Sequence, residues 1–285
     1  MTYAEWYGLY ISLYKRKLAA KTRESYDRLH KLLSPIHAAA LDRLTADQLQ
    51  AALIGVEEAA GSRQAQLAFT LLHGCLRRAV RSGHLKANPI DAIDKPEHDA
   101  EAGRAITGED WLRLLPEIDS DPAFSLMAYA GLRRGEVLGL RRADVDQAAG
   151  LIRVRRQRLR TGGDLQTLPP KSRAAVRDVP ILPELAAALR RLPLMLPNAL
   201  IVPCSPETLA RRWRRAQDRA GIAQPYRLHD LRHTYATRLV EAGCNPRVLQ
   251  YMIGHSTLDL TMQTYTHIDG SAALREVSRL RKSLH

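Results

Sequence analysis

The stretch from Asn88 to Gly103 limits most strongly what this chain can build. It is polar, holds Pro89 and Pro96 and five acidic residues between Asp91 and Glu101, and follows neither a helical nor a strand period. A segment of this kind has little apolar surface to bury, and proline denies it a regular hydrogen-bond ladder. It reads as a linker over 88–103 between a module at 1–87 and a second domain at 104–285. A chain of 285 residues is long enough to bury two cores of ordinary size.

The first module is helical throughout. Trp6, Leu9, Tyr10, Leu13 and Tyr14 fall at helical spacing within residues 2–14, and Lys15, Arg16 and Lys17 follow where a helix dipole favours cations. A second helix begins after Thr22, carries Tyr26, Leu29, Leu32 and Leu33, and is stopped by Pro35. Thr45 and Gln48 form a capping box that opens a third helix reaching Ala60. The fourth runs from Ser62 through Leu67, Leu71, Leu72, Leu76 and Val80, with Gly83 placed to end it.

Beyond the linker, Thr107 caps a helix with Trp111, Leu112, Leu114 and Leu115, and Asp121-Pro122 opens an apolar helix that Gly131 breaks. Residues 151–158 start by alternating apolar and basic side chains, as a half-buried strand does. Thr161-Gly162-Gly163-Asp164 is a turn, followed by strands at 165–168 and 176–181 with Lys171 in the connection between them. Helices are expected at 184–191, 206–220, 229–242, 246–253 and 258–265.

The chemistry concentrates near the C-terminus, in His229-Asp230-Leu231-Arg232-His233, Gly254-His255-Ser256 and Tyr265. Arg232 is a planar, permanently charged fork suited to two phosphate oxygens, and on a helix His229 shares its face. Tyr265 supplies a hydroxyl able to attack phosphorus. With Gly131-Leu132-Arg133-Arg134-Gly135-Glu136 upstream and Lys171 ahead of a strand, the ordered set resembles the active-site signature of the tyrosine recombinases, the phage integrase family.

That resemblance implies a mainly α protein with a small antiparallel β-sheet. It implies a SAM-like four-helix core-binding domain that lies across DNA from a catalytic domain with the DNA breaking-rejoining fold. It casts Arg133 and Arg232 as a clamp on the scissile phosphate, Lys171 as general acid, His229 as an aid to proton transfer, His255 as a hydrogen-bond donor to phosphate and Tyr265 as the nucleophile. Glu136 and Asp230 are expected to orient the arginines and histidines. Ser172 stands where the family usually has threonine after the lysine. The implied reaction needs no cofactor and no metal. His229 and His233 are spaced as zinc ligands are, but the glutamate of that motif is absent and Arg232 would repel a cation.

The implied partner is double-stranded DNA at attachment or core sites, bound by a homo-tetramer that assembles on DNA from monomers, with a directionality factor or DNA-bending protein as possible helpers. The expected function is site-specific integration or excision of a phage or mobile element. Resolution of chromosome dimers, or DNA binding without catalysis, are the alternatives. A formal charge of +13 agrees with a polyanionic partner, and +10 of it lies in residues 101–285. Lys15, Lys21, Arg23, Arg63, Arg77 and Arg81 in the first module, and Arg211, Arg214 and Arg215 in the second, are the candidate phosphate contacts. Cys75, Cys204 and Cys244 form no Cys-x-x-Cys pair, and no signal peptide or membrane span is legible, so a cytoplasmic, nucleoid-associated protein is expected. Leu274, Val277 and Leu280 give the tail after Thr266 a helical apolar face for docking on a neighbouring subunit.

Overall fold

The computed structural model describes residues 1–98, 103–170 and 172–254, with Arg173 by its backbone only. The expectations for Lys171, His255, Tyr265, the helix at 258–265 and the tail lie outside the described residues. The chain divides into two compact units, Met1–Glu101 and Ala102–His285, each with its own apolar core. Both are dominated by helices, with small antiparallel sheets in the second. Among the described residues no helix is long and apolar enough to cross a membrane.

In the first unit, α1 (Tyr3–Leu9) opens on a capping box of Thr2 and Glu5 and widens into a π-helical turn at Tyr10–Tyr14. The core side is taken by Tyr3, Trp6, Tyr7, Tyr10 and Ile11, a complete i, i+3, i+4, i+7, i+8 stripe, so Leu9 and Leu13 fall outside it and are exposed. Helix α2 (Ala20–Leu32) is followed by α3 (Ala46–Ala60), whose start is fixed by the expected Thr45–Gln48 box. Then α4 (Ser62–Arg81) buries Ala65, Ala68, Leu71, Leu72, Cys75, Leu76 and Ala79. The segment read as linker contributes to this core: Asn88 caps a short turn at Pro89–Ala92, and Ile90 is fully buried.

In the second unit, α5 (Gly108–Ser120) and α6 (Pro122–Ala130) pack together, and α6 is buried from Ala123 through Ala130. A short α7 (Arg134–Gly139) leads to β1 (Val145–Asp146), β2 (Leu151–Val154), β3 (Gln157–Thr161), β4 (Asp164–Leu168) and β5 (Arg177–Pro180). The single strand expected over 151–158 is two strands in two sheets. β2 lies between β1 and β5, whereas β3 pairs with β4 in a separate hairpin. The break falls at Arg155-Arg156, where Arg155 donates to the Arg177 carbonyl and Arg156 turns away to pair with Asp144. The connection holding position 171 therefore joins the hairpin to the other sheet. Among the described residues four helices follow: α8 (Pro183–Arg190), α9 (Pro206–Arg219), α10 (Asp230–Glu241) and α11 (Pro246–Ile253).

Glycine seats the hairpin on α7. A Cβ at Gly139 would lie 3.0 Å from the Gln157 Cα, and one at Gly135 would lie 3.0 Å from the Leu159 side chain. The Gly139 contact is with backbone, so a larger residue there would have to push β3 a few tenths of an ångström from the helix that begins at Arg134.

Candidate active site

The site begins where α6 ends. Gly131 adopts φ +60°, the left-handed region, and a Cβ there would lie 2.5 Å from the Tyr235 ring. The chain then extends through Arg133, which precedes α7. One turn on, Glu136 accepts from the Arg133 backbone N–H at 2.8 Å and from its Nη1 at 2.9 Å. Arg133 Nη2 donates to the Gly254 carbonyl at 2.6 Å. Its side chain remains 33% exposed while that of Glu136 is 3% exposed, so the guanidinium is anchored on one side and open on the other.

Arg232 lies in the first turn of α10, 3% exposed, and donates to the Gly131 and Ile253 carbonyls. His229 stands at the N-cap of the same helix, partly covered by surrounding protein and partly exposed. Its pKa falls to about 4, first from loss of hydration by surrounding protein and then from the positive Arg232 and Arg133. Water screens part of that repulsion, but near pH 7 the ring is neutral and can accept a proton. Asp230, buried, accepts from the Arg227 backbone N–H at 2.7 Å and from its guanidinium at 3.2 Å, which fixes the entry to α10. Among the described residues no group of three or more His, Cys, Asp or Glu side chains is placed to hold a metal ion.

One residue of the site escaped the sequence reading. Arg177, on β5, has a fully buried side chain that meets Glu136 with two parallel bonds of 3.0 Å. Its Nε donates to the Met252 carbonyl at 2.7 Å and its Nη1 to Ala175 at 3.1 Å. The signal lay in the strand period: Val179 points inward, and a residue two positions earlier shares its face. Val176, the apolar neighbour, is the one turned out, 45% exposed.

Three arginines from three separate segments thus take three consecutive carbonyls at the end of α11: Arg177 on Met252, Arg232 on Ile253 and Arg133 on Gly254. Gly254 caps that helix at φ +64°, and His255 is the next residue of the chain. With the neutral His229 beside them, Arg133 and Arg232 provide a charged, partly open site able to bind a phosphate and stabilise negative charge developing on it.

Residues 111–271, more than half of the chain, match the phage integrase family. The chain belongs to that family. Tyrosine recombinase XerC 2 of Ralstonia nicotianae is 35% identical over 207 residues, covering 66% of this chain and 56% of that protein. A putative prophage phiRv2 integrase of Mycobacterium tuberculosis is 33% identical over 233 residues, covering 76% of this chain and 61% of its own length. This family member thus spans a little over half the length of the curated relatives it matches. The Tn1549 transposon integrase, solved in complex with circular intermediate DNA, superposes with a TM-score of 0.83 at 25% identity, over 98% of this chain and all of that one.

Apart from Lys15, which follows the π-helical turn, the basic residues singled out in this integrase-family chain lie on helices within each unit. On α4, Arg63, Arg77 and Arg81 are exposed and, at 100° per residue, fall within about 40° of one another. Lys21 is exposed, Lys15 is half-buried over the Tyr10 ring, and Arg23 is paired with Asp27 at 3.2 Å. On α9, Arg211, Arg214 and Arg215 are exposed, whereas Arg212 pairs with Asp121. Trp213 is a core residue, edge-on to Phe124 and bonded to the Tyr226 carbonyl at 2.9 Å.

Proposed function

We propose that this chain is a site-specific DNA recombinase that cleaves and rejoins strands through a 3′-phosphotyrosyl intermediate, integrating or excising a phage or mobile element. The observation that carries the reading is the meeting of Arg133 and Arg232 beside a neutral His229, at the helix end from which the chain runs on to His255 and Tyr265. The Tyr265 oxygen attacks phosphorus, the bond to the 5′ oxygen breaks, and that oxygen leaves with a proton from Lys171. Arg133 and Arg232 hold the non-bridging oxygens as they gain charge. His229, neutral near pH 7, takes the proton of the Tyr265 hydroxyl, and His255 donates to a phosphate oxygen. The phosphotyrosyl bond retains the energy of the diester, so a 5′ hydroxyl from a second duplex reverses the step without a cofactor.

The exposed arginine row on α4 and the arginines of α9 would track the phosphate backbone, positioning the protein without reading bases. Exchange is assigned to a homo-tetramer on DNA, with the tail docking between subunits. The likeness to Xer recombinases supports a second reading, resolution of chromosome dimers, which differs in substrate and not in chemistry.

The test mixes wild type and Tyr265→Phe with labelled DNA from the flanks of the native gene, in EDTA, and looks for a detergent-resistant adduct. An adduct from wild type alone is expected. Cleavage of chromosomal dimer sites in place of flanking DNA would favour the second reading. Salt-sensitive binding by both proteins without an adduct would replace both with a DNA-binding module.

A further inference from the structure

We propose that Arg177 is the positioning residue of the site: it sets the direction of the Arg133 guanidinium through Glu136 and fixes the end of α11. The proposal rests on the recombinase reading for its kinetic consequence but not for its structural one.

Arg177 cannot itself meet a substrate. Its side chain has no solvent exposure, and Nε, Nη1 and Nη2 are all engaged. Its bonds tie together the parts that must agree in direction. Both carboxylate oxygens of Glu136 are bound by Arg177, and the same two oxygens hold the Arg133 backbone and side chain. A carboxylate gripped in the plane of a guanidinium cannot rotate, so Arg133 receives a fixed acceptor pair. Met252 and Gly254, one residue either side of Ile253, are held by Arg177 and Arg133 respectively. Packing closes the arrangement, since a Cβ on Gly254 would lie 3.1 Å from both Cδ and Nη1 of Arg177.

Electrostatics point the same way. Burial acts to raise the Glu136 carboxyl pKa, but the charge and hydrogen bonds of Arg177, with Arg133 and Arg232 behind them, overcome it and hold the group below the ordinary carboxylate range. Glu136 therefore stays ionised, and an ionised carboxylate is what aims Arg133.

Arg177→Lys keeps the charge but offers one ammonium where a planar fork reaches Glu136 and Met252 together. Arg177→Met keeps bulk and loses every bond. Each variant is compared with wild type by thermal melting, by the rate at which phenylglyoxal modifies Arg133 as read by peptide mass spectrometry, and by single-turnover adduct formation on flanking DNA. In Arg177→Met, modification of Arg133 is expected to accelerate about tenfold, the scale of one lost charge-assisted hydrogen bond. Adduct formation at saturating DNA should fall roughly 100-fold while the half-saturating DNA concentration stays within about threefold, because misdirection affects the reacting geometry more than binding. Arg177→Lys should fall between, and it carries the test if Arg177→Met does not fold.

A folded variant whose Arg133 reacts at the wild-type rate overturns the proposal, as does one that forms adduct at the wild-type rate. If wild type forms no adduct, the recombinase reading falls, and the modification rates still decide whether Arg177 positions Arg133.

Discussion

Replacing Gly131 with alanine should damage stability and catalysis by separable routes. The residue sits at φ +60°, where a Cβ costs about 1–2 kcal/mol. That Cβ would also lie 2.5 Å from Cδ1 and 2.7 Å from Cε1 of Tyr235, against a comfortable carbon separation of about 3.5–4.0 Å. The ring must retreat by about an ångström, yet it is 4% exposed and packed in a cluster with Ala236, Leu249 and Ile253. Overpacking of this kind costs about 1–3 kcal/mol. The sum, roughly 2–5 kcal/mol, should lower the melting temperature by about 5–15 °C for a unit of this size. The Gly131 carbonyl holds Arg232, so adduct formation by the protein that remains folded should drop by about tenfold or more. The assay is thermal melting of wild type, Gly131→Ala, Tyr235→Val and the double variant. Valine lacks both clashing ring atoms, so in its background the alanine should cost only the conformational part, about 1–2 kcal/mol. An equal cost in both backgrounds would refute the steric argument, and a Gly131→Ala melt matching wild type would refute the whole.

Glu136→Gln should destabilise the second unit by about 3–5 kcal/mol by leaving the Arg177 charge buried and unmatched, read by denaturant unfolding. Arg232→Lys should cut adduct formation by about 100-fold or more with little change in DNA affinity, since it keeps the charge and loses the fork. The first unit should weaken as pH falls from about 6.5 toward 4. His30, stacked between Tyr7 and His37 near Asp27, has its pKa lowered to about 4 by burial and then by His37. The unfolded chain binds that proton first, so stability is complete above the ordinary imidazole pKa and is lost through this window, and His30→Phe should flatten the slope. Gly139→Ala should lift β3 from α7 and speed protease cleavage at the Gly162–Gly163 turn; an unchanged cleavage rate would show that the contact yields without cost.

Much of this was legible from residues alone because it rests on local rules. Thr45 with Gln48, Thr107 and Asp121 each start a helix where their side chains can accept a backbone N–H, and each does. Arg133, Glu136, His229 and Arg232 could be named because the family signature fixes their order, and the fold brings them together. What resisted reading depended on contacts distant in sequence. The split of 151–158 follows from Arg156 turning to Asp144 and Arg155 to the Arg177 carbonyl, which no period in the strand encodes. The burial of Ile90 depends on the face α4 offers it, not on its polar neighbours. Arg177 was hidden because an arginine in a half-polar strand reads as solvent-facing, and only its register with Val179 says otherwise.

The end of α11 also determines how the site looks from a distance. Carbonyl oxygens satisfy the hydrogen bonds of a guanidinium but carry no net charge to cancel it. Among the described residues, Glu136 gives Arg133 and Arg177 a carboxylate, and Gly131, Ala175, Met252, Ile253 and Gly254 give the three arginines neutral dipoles. These carbonyl bonds fix the guanidiniums without neutralising them, so the positive potential they leave reaches outward until salt screens it, within about 8 Å at physiological ionic strength. Rigidity here comes from a helix terminus whose carbonyl oxygens, together worth only about half a negative charge, take less from the long-range attraction than acidic partners would.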